Sequence, residues 1–232
     1  MTAEFLWQER AKPTRGPKPA LTLEQIADAA IAIADAEGLA AVSMQRVAAD
    51  LGYTKMSLYR YLPGKAELVA AMLERGLGRP PEISGMPWRE GLGTWAQKLM
   101  TACVGHTWAQ EAMAGPRPVG PNELGWTEQA LRVLPESLTG AERMDTVATL
   151  AGHVRMFAGQ TSAGGRPEAE LEASMARAMT EHADRYPAVA AAMADIATHG
   201  GTDQAFSFGL ERILDGLEVL IGSRGGSGRI QV

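Results

Sequence analysis

Apolar residues recur every three or four positions along most of the chain, the period of an amphipathic α-helix. Thr22 opens the first such segment, with Gln25 three residues on as its capping-box partner. Ile26, Ala30 and Ile33 form its apolar face, and Gly38 stops it. Ser43 caps a second, shorter helix with Met44, Val47 and Leu51 inward, ending at Gly52. A third runs from Thr54 to Leu62, where Pro63 and Gly64 end it. A fourth starts near Lys65, with Leu68, Val69, Met72 and Leu73 on one side. Leu51, Leu58, Tyr61 and Leu62 are expected to be buried among these helices. The first nineteen residues hold Pro13, Gly16, Pro17 and Pro19 and read as an irregular arm.

Gly76, Gly78, Pro80, Pro81, Gly85 and Pro87 break the pattern and mark a domain boundary. Helical spacing then returns with Trp88, Leu92, Trp95, Leu99 and Cys103. Residues 115–121 read as a loop, and Leu124, Thr127, Leu131 and Leu134 mark a helix that Pro135 ends. A long helix is expected from Met144 to Thr161, another through Leu171, Met175, Met179 and His182, a restart at Pro187, and a last from Asp203 to Ile221. The glycine-rich tail from Gly222 to Gly228 is expected to be disordered. No fixed repeat and no convincing two-residue alternation appears, so the expected fold class is all-α.

Composition agrees: hydrophobic residues make up 46%, charged residues 21% and aromatics only 6% of 232 residues. The apolar runs are too short for a bilayer, and no signal-peptide core stands near the start. A single cysteine, Cys103, fits a reducing cytoplasm, which is the expected location. The net charge of −5 speaks against nucleic acid only when taken whole. Residues 1–75 hold nine basic and nine acidic side chains, and Arg10, Lys12, Arg15 and Lys18 meet no acid until Glu24. Local clustering decides attraction to phosphate, because salt screens charges beyond about 8–10 Å.

The second and third helices carry the informative chemistry. Asp50-Leu-Gly-Tyr-Thr54 is a short glycine-bearing joint between two short amphipathic helices, as a helix-turn-helix requires. With Leu58 set inward, Tyr61 and Leu62 point inward with it, while Met56 and Arg60 point away, flanked by Ser57 and Tyr59. No acid occurs from Thr54 to Lys65. That face offers cations, hydrogen-bond donors and an apolar contact suited to a thymine methyl.

The run from Val47 to Leu68, with its turn glycine, Leu58-Tyr59 pair, aromatic Tyr61 and Lys65, resembles the signature of the TetR family of transcriptional regulators. The match covers about residues 22–75 without a gap. Leu62 stands where a Phe is common, and Gly64 where a Ser or Asn cap is usual. The resemblance implies a basic arm at 1–19, a helix-turn-helix DNA-binding domain at 20–76 and a helical ligand-binding and dimerisation domain at 87–222. It implies that Thr54, Lys55, Met56, Ser57 and Arg60 face the major groove and that Thr22, Tyr59 and Lys65 bind phosphates. Arg10, Lys12, Arg15 and Lys18 would track the adjoining backbone or minor groove. The partners implied are a palindromic double-stranded DNA operator, a second copy of the chain, and a small-molecule effector that releases the repressor.

In the second domain, Phe206, Leu210, Ile213, Leu217 and Leu220 step by four, three, four and three, and Val147, Leu150, Val154 and Phe157 form a similar seam. Val147, Val154, Leu210, Ile213, Leu217 and Leu220 are the expected dimer contacts. Large adaptable side chains concentrate after residue 78, and Trp95, Met100, His106, Trp108, Trp126, Met156, Phe157, Met175 and Met179 are candidates for an apolar ligand pocket. Plain core packing would use the same residues at the same spacing. No catalytic triad, paired-carboxylate motif, phosphate loop or metal-ligand spacing stands out, so no enzyme, cofactor, metal site or membrane contact is expected. The competing reading is a helical ligand-binding or adaptor protein that no longer binds DNA.

Overall fold

A computed structural model describes residues 4–7, 21–162, 167–200 and 204–226, and every described element is helical. The chain forms two compact units, residues 1–136 and 137–232.

In the first unit, α1 (Glu4–Trp7) is one turn, followed by α2 (Leu23–Glu37), α3 (Met44–Asp50), α4 (Lys55–Tyr59), α5 (Lys65–Leu77), α6 (Trp88–Val104), α7 (Ala109–Ala114) and α8 (Pro121–Val133). The expected capping box at the start of α2 is present: Thr22 Oγ1 accepts from the Gln25 N–H, and Gln25 Oε1 accepts from the Thr22 N–H. Ile26, Ala27, Ala30, Ile33 and Ala34 are buried on the inward face of α2, and Leu58, Leu62, Leu68 and Met72 complete the core with them. Leu58 and Leu62 are fully buried as expected. Leu51 and Tyr61 are only partly buried, because each lies at the edge of the core, and Tyr61 turns its hydroxyl outward to donate to the Leu21 carbonyl at 2.9 Å.

Two local readings need correction, and one helix lies in a segment whose periodicity gave no reading. Residues 4–7, expected to be irregular, form a helical turn whose Phe5 and Leu6 pack on the core. The segment before the 115–121 loop contains α7, in which Ala109 and Ala112 join the core beside Trp108. On α8 the buried residues are Trp126 and Ala130, whereas Leu124 is exposed, so the helix is turned away from the stripe read from sequence.

The first unit continues past the glycine- and proline-rich stretch that marks the boundary in sequence. Trp95 Nε1 donates to the Trp126 carbonyl at 2.8 Å, and Trp126 Nε1 donates to the Gly78 carbonyl at 3.2 Å. Glu74 on α5 accepts the backbone N–H groups of Asn122 and Glu123 at 2.8 and 2.9 Å, capping the start of α8. Gly120 must be glycine for this approach, since a Cβ there would lie 2.3 Å from the Glu74 carboxyl carbon.

The second unit holds α9 (Gly140–Ser162), α10 (Pro167–His182), α11 (Pro187–His199) and α12 (Ala205–Gly226). Thr139 and Glu142 form a capping box at the start of α9, whose first residue, Gly140, lies four residues before the expected Met144. Val147, Leu150, Val154, Leu210, Leu214 and Leu217 are buried where α9 and α12 pack together. His153 stacks on Phe206 at 5.3 Å between centroids and meets Phe157 edge-on at 4.9 Å, and its Nε2 bonds to the Phe206 carbonyl at 2.8 Å. The last helix runs through Gly222 to Gly226 where disorder was expected. Arg224 pairs with Glu142, and that ion pair holds the terminal turn against α9.

Candidate nucleic-acid interface

The recognition surface rests on how α3 stops. Gly52 adopts φ 71°, a conformation that only glycine reaches without strain. The Tyr53 N–H then bonds to the Ala48 carbonyl at 2.8 Å and the Gly52 N–H to the Ala49 carbonyl at 3.0 Å. This pair of bonds is the Schellman termination, and it turns the chain sharply into α4.

Helix α4 has five residues, too few to hold itself together in water. Packing and capping hold it instead. Leu58 is its one fully buried side chain, and Thr54 Oγ1 accepts the Ser57 N–H at 3.3 Å. The two hydroxyls, Thr54 and Ser57, also bond to each other at 3.0 Å. After Tyr59 the helix tightens, with the Tyr61 N–H reaching the Leu58 carbonyl at 2.8 Å, so the α-helix is shorter than the expected 54–62.

The outward face carries the residues singled out from sequence. Met56 is 72% exposed, and Thr54, Lys55, Tyr59 and Arg60 are exposed with it. Ser57 is half-buried, its hydroxyl already engaged by Thr54. The Lys55 ammonium lies 5.5 Å from the centre of the Tyr59 ring. Lys65 is the first residue of α5, whose N-cap, Gly64, offers no side-chain acceptor. Lys65 is exposed, and the Glu67 carboxylate of the same first turn is buried close to Gly64, where a Cβ on the glycine would lie 3.3 Å from Glu67 Oε2. Thr22 is half-buried, with its hydroxyl committed to the capping box.

Charge pairing separates structural cations from available ones. Arg46 on α3 is tied to Glu37 at 2.8 Å and to Asp50 at 3.2 Å, and these carboxylates raise its pKa, the Glu37 bond most. Arg75 is held by Asp28 at 2.7 Å and its pKa is raised by that bond. Lys55, Arg60 and Lys65 have no acidic partner among the described residues, which leaves their charge for a ligand. Sequence reasoning placed all three but missed the Arg46 bridge; its signal was the Arg46 and Asp50 pair one helical turn apart. Arg10, Lys12, Arg15 and Lys18 lie outside the described residues.

The remaining candidates are scattered. Trp108 is buried in the core of the first unit with residues of α2 and α5. Trp95 and Trp126 are buried with both indole N–H groups bonded within the first unit, and Met100 and His106 are half-buried there. Met156 and Met175 are exposed, and Phe157 and Met179 half-buried, in the second unit. An open pocket of about 220 Å³, floored by Leu6, Leu23, Ala27 and Ala71, contains none of the nine residues. Of the expected dimer contacts, Val147, Val154, Leu210 and Leu217 are buried within the chain where α9 packs on α12, while Ile213 and Leu220 are half-buried. The large apolar side chains that those two helices expose among the described residues are Met144, Met156, Phe208 and Val219. No helix among the described residues is long and apolar enough to cross a membrane.

Comparison with known proteins gives a consistent answer. Residues 20–72 match the family described as "Bacterial regulatory proteins, tetR family", and residues 81–221 match "Tetracyclin repressor-like, C-terminal domain". The HTH-type transcriptional repressor DrrR1 of Streptomyces coeruleorubidus is 38% identical, over 97% of this chain and 87% of its own. Apo ActR of Streptomyces coelicolor superimposes with a TM-score of 0.74 at 26% identity, covering 89% of this chain and 99% of that one. ActR in complex with actinorhodin gives 0.72 at 27% identity, covering 85% and 95%. A short capped recognition helix whose cations have no acidic partner among the described residues, on a chain similar along its length to these regulators, places this protein in the tetR family of helix-turn-helix transcriptional regulators.

Proposed function

We propose that the protein is a homodimeric repressor that acts in the cytoplasm on a palindromic operator and leaves it when a small molecule binds the helical C-terminal domain. The observation that carries the reading is the exposed face of α4 and the start of α5, where Lys55, Met56, Tyr59, Arg60 and Lys65 stand together with no acid between Thr54 and Lys65. Lys55, Arg60 and Met56 read base edges in the major groove, while Tyr59, Lys65 and Thr22 address phosphates and set the register. Arg10, Lys12, Arg15 and Lys18 extend the contact along the backbone.

Two copies meet through the apolar surface that α9 and α12 leave exposed, centred on Met144, Met156, Phe208 and Val219. Ala148 and Gly216 lie exposed among these and let helices approach closely. A two-fold dimer presents two recognition helices to two half-sites, so the operator mirrors the protein's symmetry. Release by a small molecule is supported by the kinship with a named repressor and by the structure of ActR with actinorhodin. A ligand that favours a conformation with misplaced recognition helices weakens DNA binding, and operator DNA weakens ligand binding by the same factor.

The test is selection of bound fragments from genomic DNA by the purified full chain, followed by mobility-shift titration. Recovery of one inverted repeat, with affinity that falls when Arg60→Ala is introduced, is expected. Recovery of no common sequence overturns the reading and favours a helical protein that does not read DNA.

A further inference from the structure

One carboxylate is used in a way that DNA reading alone does not explain. Asp35, near the end of α2, directs Oδ1 at two donors from the segment joining α6 to α7: Trp108 Nε1 donates to it at 2.7 Å, and His106 Nδ1 stands 3.0 Å away. Trp108 is 2% exposed and packs in the same core as Ile26, Leu58 and Leu68, with the His106 ring 5.3 Å from its own. The close fit extends to α5, where a Cβ on Gly76 would lie 3.0 Å from the His106 ring.

We infer that Asp35 is a positioning residue for operator reading, which fastens α2 directly to α7 and thereby sets the angle at which the recognition helix is held. Helix α2 works as a beam about 20 Å long. At its start, the Tyr61 hydroxyl donates to the Leu21 carbonyl and ties in the end of the recognition segment. At its far end Asp35 holds α7. The chain also joins the DNA-reading helices to α6–α8 through α5, where Glu74 caps α8. One connection through a helix leaves rotation about that helix open. A second attachment, on a different element, removes it. Hydrogen bonds from two donors to one charged acceptor suit this work, being short and directional.

This inference rests on the proposed dimer and its two-half-site operator, and its test separates the two. Both half-sites are bound at once only if the reading heads keep their spacing and angle, so a loosened head lowers the effective concentration at the correct spacing and raises tolerance to a wrong one. Inserting one base pair between half-sites turns them by roughly 35° relative to each other. Asp35→Ala in the full chain is expected to leave binding to DNA with a single half-site unchanged. Its preference for the selected operator over the one-base-pair insertion should fall by roughly 2- to 30-fold, the range of couplings carried by individual residues. Trp108→Phe, which keeps a ring in the core and removes only the indole N–H, should shift the same ratio in the same direction. If Asp35→Ala fails to fold, as judged by circular dichroism, Trp108→Phe carries the test. A wild-type preference ratio, or an equal loss on single and paired half-sites, overturns the inference. Failure of the wild-type protein to select any operator overturns the underlying reading instead.

Discussion

Replacing Thr54 by alanine should weaken α4 before DNA is ever present. The hydroxyl accepts the Ser57 N–H at 3.3 Å, and N-cap removals cost about 0.5–2 kcal/mol. Here the same N–H also reaches the Thr54 carbonyl at 2.9 Å, so one acceptor survives. The cost therefore falls at the low end, about 0.5–1 kcal/mol. Because α4 has only five residues and one fully buried side chain, little else absorbs the loss. The cap energy converts to roughly a two- to fivefold rise in local opening. Native-state hydrogen exchange without DNA reads this opening directly, at the amides of Ser57 and Leu58. Operator affinity should fall by at least the same factor, since an opened helix does not bind. Thr54→Ser keeps the acceptor and should restore exchange protection in the free protein. Wild-type protection in Thr54→Ala, or equal loss in Thr54→Ser, would refute the claim that the hydroxyl holds the helix.

The other expectations address the surface, the seam and one carboxylate. Lys65→Ala should weaken binding about evenly across sequences and reduce the salt slope by about one unit per protomer in mobility-shift titrations, whereas Arg60→Ala should relax preference at one base position by roughly 1–3 kcal/mol if its contact is bidentate. Phe208→Glu with Val219→Glu should halve the molecular mass in light scattering with helicity retained, while Leu217→Glu, which buries a charge between α9 and α12, should reduce the helical signal itself. Tyr61→Phe removes the bond to the Leu21 carbonyl and should lower thermal stability by about 0.5–1.5 kcal/mol. The Glu142 carboxyl is held below its ordinary value of 4.5, first by the Thr139 backbone N–H and then by Arg224. A lowered folded-state pKa means that its stabilisation is complete above about pH 4.5 and is lost as pH falls through the folded value. Melting curves of Glu142→Gln should therefore show a smaller acid-induced decline over that window than those of the wild type.

Local rules determined a good part of this molecule. Thr22 with Gln25, Gly52 and the alternation around Leu58 each act within a few residues, so helix starts, the tight turn and the outward face of α4 could be read directly from the chain. The absence of acid between Thr54 and Lys65 is likewise a property of sequence. Tertiary structure decided which of several equivalent apolar surfaces meets which. The stripe containing Val147, Val154, Leu210 and Leu217 has the same spacing whether it packs within one chain or between two, and only its burial between α9 and α12 assigns it to the interior. Leu124 lost the inward position on α8 to Trp126, whose indole N–H finds the Gly78 carbonyl 48 residues away. Asp35 and Trp108 lie 73 residues apart, and nothing local relates them. Periodicity records that a face is apolar and a cap records where a helix begins. The partner of either is set by long-range packing, which depends on how the whole core fills.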